Sequence, residues 1–360
     1  MKESRRDFIK TSTAAWVLTV TKATAQPASP ATATVKKKIG FLVSTQERMK
    51  HDNAFSQALS DNNWPVNSRE FKPLSANDDY GPGDNTLKAL ANVHVAKHVD
   101  LIVAAGGLPT AVAVASVVDN NASAPPFIFL IGRYPISNSG VDAGAADLYN
   151  CPRSKKVGGV DQATVAQDQA NFQQLKAQPG SGVTIDTVGL IVNDNNPINV
   201  PETDAWLHMT DRANLSASTN SAYIYHLTGQ NDQAIPGLLQ QIRTKPQPNG
   251  IVVSADPYLR EVGEVDLDAQ LRDPNGGNFQ GWVCYPYSDY VLAPGAHSIH
   301  STSTPALATN TPAAPTTAYY RLGLQAVTIL NQLANSQPLD AGLTTWNAST
   351  SSWNPPANFP

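Results

Sequence analysis

Charge is scarce in this chain. Asp, Glu, Lys and Arg together supply 15% of its residues, and the formal net charge is only -4. That balance excludes the basic surfaces by which proteins hold nucleic acid, and it leaves the polar surface to Asn, Gln, Ser and Thr. No apolar run is long enough to cross a bilayer as a permanent helix. Neither G-x-G-x-x-G nor G-x-x-x-x-G-K-[ST] occurs, so the usual nucleotide fingerprints are missing. The G-x-S-x-G elbow of many hydrolases is also missing. His94 and His98 stand four apart, but Val95 follows the first, so the H-E-x-x-H pattern fails. His297 and His300 fall in a stretch without Cys or carboxylate partners at ligand spacing. No metal site and no cofactor are therefore expected. Cysteine is limited to Cys151 and Cys284. The pair fits an oxidising compartment, and a bridge between them and two separate buried thiols both remain open.

The N-terminus carries a specific signal. Ser4-Arg5-Arg6-Asp7-Phe8-Ile9-Lys10 looks like a twin-arginine export motif, and a modest apolar segment, Ala14–Val20, follows it. Lys22 and the small-x-small site Ala23-Thr24-Ala25 complete the pattern. Residues 1–25 are read as a signal peptide and 26–36 as a flexible lead-in, which places the mature protein in the periplasm by the twin-arginine route.

The rest of the chain is organised around Asp100–Val118. Leu101-Ile102-Val103-Ala104-Ala105 is apolar without alternation, as in a parallel-sheet strand buried on both faces. Gly106 and Gly107 allow a sharp turn, and Pro109 suits the first position of a helix. The amides of Thr110 and Ala111 would then point into a crevice, as at the strand–turn–helix corners where open α/β sheets bind ligands. Strands at Lys38–Ser44, Arg69–Phe71 and Pro126–Ile131 and helices at Asp52–Ser60 and Thr86–His98 surround this corner. Further strands are expected at Lys156–Val160, Thr187–Val192, Ala222–Leu227, Gly250–Ser254 and Trp282–Tyr285. Helices are expected at Gln162–Lys176, Glu202–Ala213, Gln233–Arg243 and Tyr319–Leu333.

This alternation predicts an α/β protein of two doubly wound parallel-sheet lobes joined by a hinge. Residues 37–155 with about 286–335 are assigned to lobe 1, and 156–285 with the C-terminal segment 336–360 to lobe 2. Residues 301–317, rich in Thr, Ala and Pro, read as a surface loop or a lid. Trp346 and Trp353 in the tail are read as packing residues before ligand platforms.

The pieces in this order resemble the substrate-binding proteins of ABC transporters with the type I periplasmic-binding fold, in the group that includes tryptophan- and tyrosine-type binding proteins. The segments that carry the resemblance are Ile39–Ser44 with Ala54–Leu59, Asp100–Gly107, Lys156–Val160, Val192–Pro197, Ser254–Tyr258 and Tyr319–Gly323. The resemblance implies a non-enzymatic, monomeric binding protein that closes on a small organic solute, an amino acid or an aromatic or carboxylate-type molecule, and then meets a membrane permease. It places Ser44, Thr45, Gly107, Pro109 and Thr110 of the first lobe at the ligand. Arg133 follows a strand end and suits an acid group or an ion pair between lobes. Asn193, Asp194, Asn195 and Asp256 come from the second lobe; Asp256 fits a ligand amine or a turn cap equally. Tyr285 and Tyr287 suit a stacked ring or the core. Two other readings remain: an exported ligand sensor for a membrane receptor, and an exported enzyme using Asp194 or Asp256 as acid or base.

Overall fold

The computed structural model describes residues 36–43, 52–75, 85–105, 107–131, 156–161, 165–178, 185–194, 223–228, 234–254, 256, 258–259, 266–288, 290–302, 317–339, 341–347, 350 and 352–354. The leader, the helix expected at Glu202–Ala213, Cys151 and most of 301–317 lie outside these residues.

Uniformly apolar runs become central strands. β1 (Lys37–Val43), β3 (Leu101–Ala104) and β4 (Phe127–Ile131) are buried almost throughout. They join β2 (Arg69–Ser75), β5 (Lys156–Asp161), β11 (Gly342–Asn347) and β12 (Ser352–Asn354) in a seven-stranded sheet of order β12-β11-β5-β4-β3-β1-β2. All neighbours are parallel except β11 and β12, an antiparallel hairpin at the edge that sets Trp346 opposite Trp353. A second sheet has the order β10-β9-β8-β6-β7, all parallel. Its strands are β6 (Val188–Asn193), β7 (Ile224–Leu227), β8 (Gly250–Val253), β9 (Trp282–Tyr285) and β10 (Ser298–His300). Sheets with this pattern need cover on both faces, and helices supply it.

On the first sheet, Ile39, Phe41 and Val43 face α1 (Asp52–Asp61) and α7 (Ala318–Ala334). The alternate residues, Leu42, Ile102 and Phe129 among them, face α2 (Asn85–Ala96) and α3 (Leu108–Asp119). On the second sheet, Leu190, Val192 and Val252 pack against Phe172 and Leu175 of α4 (Val165–Lys176). Ile191 and Val253 face the side of α5 (Ala234–Thr244) and α6 (Leu267–Arg272). α7 is amphipathic because Leu322, Ala326, Ile329 and Leu330 recur at helical spacing and are all fully buried. Each such leucine or isoleucine contributes ~1.5–3 kcal/mol of apolar burial. Thr317 caps the helix, its hydroxyl accepting from the Tyr320 N–H at 3.3 Å.

Four strands join a different sheet from the one expected. Lys156–Asp161 does not open the second lobe: it pairs in parallel with β4, Phe129 against Gly159 and Ile131 against Asp161. β11 and β12 join the first sheet rather than the second, and β10, within a stretch assigned to lobe 1, extends the second. Sequence order did not reveal this, because a parallel strand's partner is chosen across a long connection rather than by its neighbours in the chain. The chain therefore passes from the first sheet to the second between β5 and α4 and returns between β10 and α7. His94, four residues from His98, belongs to the core. It is fully buried, and its ring lies over Gly40, where an added Cβ would stand 2.6 Å from Nδ1.

Candidate functional site

Parallel strands present the loops at their carboxyl ends to ligands; of the expected residues, Gly107, Pro109 and Thr110 follow β3, Asn193 and Asp194 stand at the end of β6, and Asp256 follows β8. β3 ends at Ala104, and the chain enters α3 through Gly107 at φ 85° and ψ -170°. That backbone is in a region side chains avoid, so glycine is required at this position. Pro109 stands in the first turn of α3, as expected, and Gly107 is its N-cap without a side-chain cap. The first helical bond runs from Ala111 N–H to Gly107 O at 3.1 Å, which leaves the preceding amides outside the helix ladder. Thr110 is fully buried, and among the described residues its hydroxyl has no hydrogen-bond partner. From the opposite face of the sheet, the Tyr319 hydroxyl donates to the Ala105 carbonyl at 3.4 Å and braces the turn.

At the second sheet's edge, Asn193 closes β6 and is buried. Its Nδ2 donates to Asp256 Oδ1 at 3.1 Å, and the same oxygen accepts from the N–H groups of Tyr258 and Leu259 at 2.9 and 3.0 Å. Asp256 thus caps the turn after β8, one of the two roles its position allowed. Asp256→Ala is expected to cost about 1–3 kcal/mol, the loss of an acceptor from buried donors. Asp256→Asn, which keeps Oδ1, should cost less; urea denaturation of both variants checks this.

Asp194 Oδ1 lies 2.7 Å from His226 Nδ1, with 32% and 37% of the two side chains exposed. At that exposure the pair adds less than about 1 kcal/mol to stability. His226 was not anticipated as a partner. The signal was present, a histidine one residue before the end of β7, but pairing across strands is not written in local spacing. Gln241 of α5 fixes its backbone, accepting from His226 N–H at 3.2 Å and donating to its carbonyl at 2.7 Å.

Tyr285 belongs to the core. It is fully buried, its hydroxyl donates to Asp268 Oδ1 at 2.8 Å, and its ring stacks on Tyr290 at 4.8 Å. Burial, then the Asp268 charge, holds its pKa well above the usual phenol range. No ring face remains for a ligand, so its place as a stacking platform is withdrawn. Tyr287 is buried as well. Ser44, Thr45, Arg133 and Asn195 lie outside the described residues. One residue that sequence reading left out does reach between the halves: Tyr258, just past β8, packs against Leu87 of α2 and Ala113 of α3.

No protein-family model and no curated protein matches the chain. Solved structures do, and the likeness is one of fold: two parallel α/β sheets of the type I periplasmic-binding kind. A Streptococcus pneumoniae ABC domain solved in complex with L-Trp superimposes with TM-score 0.58 at 14% identity, over 87% of this chain and 90% of that one. A conserved domain protein from Vibrio cholerae O1 biovar El Tor gives TM-score 0.58 at 14% identity, over 86% and 89%. An ABC-transporter solute-binding protein from Bacillus halodurans with bound myo-inositol gives 0.50 at 12% identity, over 90% and 96%.

Proposed function

We propose that this chain is an exported solute-binding protein of an ABC importer, which takes one small organic molecule between its two sheets and presents it to a membrane permease. The carrying observation is the corner at the carboxyl edge of the first sheet. There a positive-φ glycine opens a twelve-residue helix, and the buried Thr110 hydroxyl has no partner among the described residues. A buried hydroxyl left unpaired costs about 1–3 kcal/mol, a cost that a solute seated on the turn would relieve. The contact of Tyr258 with α2 and α3 supports the same reading, because a residue that touches both halves biases the equilibrium between open and closed forms. Proposed ligand residues are Gly107, Pro109, Thr110, Asn193 and Asp194, with Ser44, Thr45, Arg133 and Asn195 on adjoining segments; Asp256 would act through the turn that it caps.

A thermal-shift screen of the mature protein over amino acids, aromatic acids and sugars tests this. A solute present at a hundred times its Kd stabilises the native state by about 2.7 kcal/mol and raises Tm by several degrees. No shift with any solute class would argue against the proposal. Thr110→Val removes the buried oxygen while keeping the shape. It should leave the solute-free Tm unchanged or higher and weaken binding roughly tenfold, as loss of one hydrogen bond would. The Asp194–His226 pair favours a second reading, an exported enzyme on the same scaffold, since a carboxylate that orients an imidazole is a familiar acid–base arrangement. Turnover of any solute in the screen, abolished by His226→Ala, would favour that reading.

A further inference from the structure

The first turn of α7 carries a cation that no described carboxylate neutralises. Arg321 donates its backbone N–H to Thr317 O at 3.0 Å, and its side chain is half-buried. Its Nε is enclosed and has no hydrogen-bond partner among the described residues. Among the described residues no carboxylate forms an ion pair with it. Asp61, on the neighbouring α1, is engaged at both oxygens, by Gln57 Nε2 at 2.6 Å and by the Tyr320 hydroxyl at 3.0 Å. Burial also pulls the Arg321 pKa below its ordinary value. The start of a helix is the place where positive charge is least favoured. A cation that is half-buried, without an ion-pair partner among the described residues and set against a helix dipole breaks three local rules at once, as residues kept for a site do.

Its position follows from its neighbours. Tyr319 meets Ala105, one residue past the end of β3. Gln325, four residues after Arg321 and on the same side of the helix, donates to Gly159 O at 2.7 Å and to Thr344 Oγ1 at 2.9 Å, over the middle of β5 and β11. The chain then turns into β11 at Gly342, which is opposite Gly158, so α7 runs antiparallel to these strands. One turn back from Gln325 is about 6 Å, or roughly two strand residues toward the carboxyl ends of β5 and β11. Helical side chains lean toward their own N-terminus, which carries the guanidinium further the same way. Arg321 therefore stands at the sheet edge that also carries Gly107 and Thr110, on the opposite face from α3.

We infer that Arg321 is the acid-binding residue of the candidate site, and that the solute carries a carboxylate which this guanidinium holds. The inference rests on the solute-binding reading above and narrows it to anionic molecules. A planar guanidinium matches a carboxylate through two parallel hydrogen bonds, and a solute acid would neutralise a charge that no described carboxylate meets.

Two measurements on the full mature chain test it. Without solute, Arg321→Met keeps the apolar stem and removes the unpaired charge, so Tm should rise by about 2–4 °C; a fall would mark a packing role and overturn the inference. Calorimetric titration then uses matched pairs: benzoate and benzamide, L-tryptophan and its amide, succinate and succinamide, with myo-inositol as a neutral control. At least one acid should bind while its amide does not. Arg321→Met should weaken that binding roughly tenfold to a hundredfold, as loss of a charge-assisted hydrogen bond does, and Arg321→Lys should restore part of it. If the acid binds Arg321→Met as well as the parent, or if only neutral members bind, the inference fails while the solute-binding reading stands. If nothing in the panel binds, both fail.

Discussion

Asp268→Ala should lower stability by about 3–5 kcal/mol, the usual cost of breaking a buried ion pair from one side. The Asp268 side chain is fully enclosed. Its Oδ1 accepts from the Tyr285 hydroxyl at 2.8 Å and from Ser298 Oγ at 2.7 Å, and its Oδ2 accepts from the Ala293 N–H at 2.8 Å. Arg272, one helical turn away on α6, has its Nε 3.6 Å from the same carboxylate. The arginine donates onward to the carbonyls of Phe279, Gly281 and His297 at 3.1, 2.5 and 3.0 Å, and to Ser298 Oγ at 2.8 Å. Two charges on a six-residue helix thus tie together Phe279, Gly281, Tyr285, Ala293, His297 and Ser298. Alanine at 268 strands the arginine and three donors together. Asparagine keeps two acceptor lone pairs and should cost less. Urea denaturation of the two variants checks this, and a loss below 1 kcal/mol for Asp268→Ala would show that the network adds little.

The second large effect is a loss of stability in mild acid. His94 is fully buried on the face of α2 that packs on β1, and neither ring nitrogen has a hydrogen-bond partner among the described residues. Burial, aided by repulsion from Lys97 and opposed only in part by the Phe41 backbone, pulls its pKa from 6.5 to about 4. The folded-state value lies below the unfolded one, so the unfolded chain binds the proton first as pH falls. The contribution of this group is complete above about pH 6.5 and is lost as pH drops through about 4. A shift of that size corresponds to about 3 kcal/mol. His94→Leu should remove this component, leaving a shallower decline between pH 6.5 and 4 and equal or greater stability at neutral pH. Denaturation at several pH values compares the two; identical slopes would mean that His94 is protonated without cost.

Those two clusters also show what could be read from the sequence. The central strands β1, β3, β4, β6 and β8 were legible because both their faces are buried, which makes them continuously apolar. α7 was legible from its apolar spacing, while its threonine cap fell in a stretch read as loop. The Gly107–Pro109–Thr110 turn was legible because glycine and proline act locally. By contrast, β10 and α6 are short and mixed in polarity, and they exist through Asp268 and Arg272, whose partners lie up to 30 residues away. Asp256 fitted both a ligand and a cap until the amides of Tyr258 and Leu259 were placed. Tyr285 looked like a platform because a strand-end tyrosine reads the same whether its hydroxyl meets solvent or a buried carboxylate. Arg321 stood within a recognised segment, but its lack of a partner is a property of three-dimensional surroundings.

The central claim is that the carboxyl edges of two separate parallel sheets hold a solute without altering it. Native mass spectrometry of the mature chain, incubated with each solute that raises its Tm, tests this most directly. The expected result is a complex of one chain with one molecule, from which the molecule is released with its mass unchanged. A chain that stays bare across the panel, or one that releases a chemically altered molecule, would contradict it.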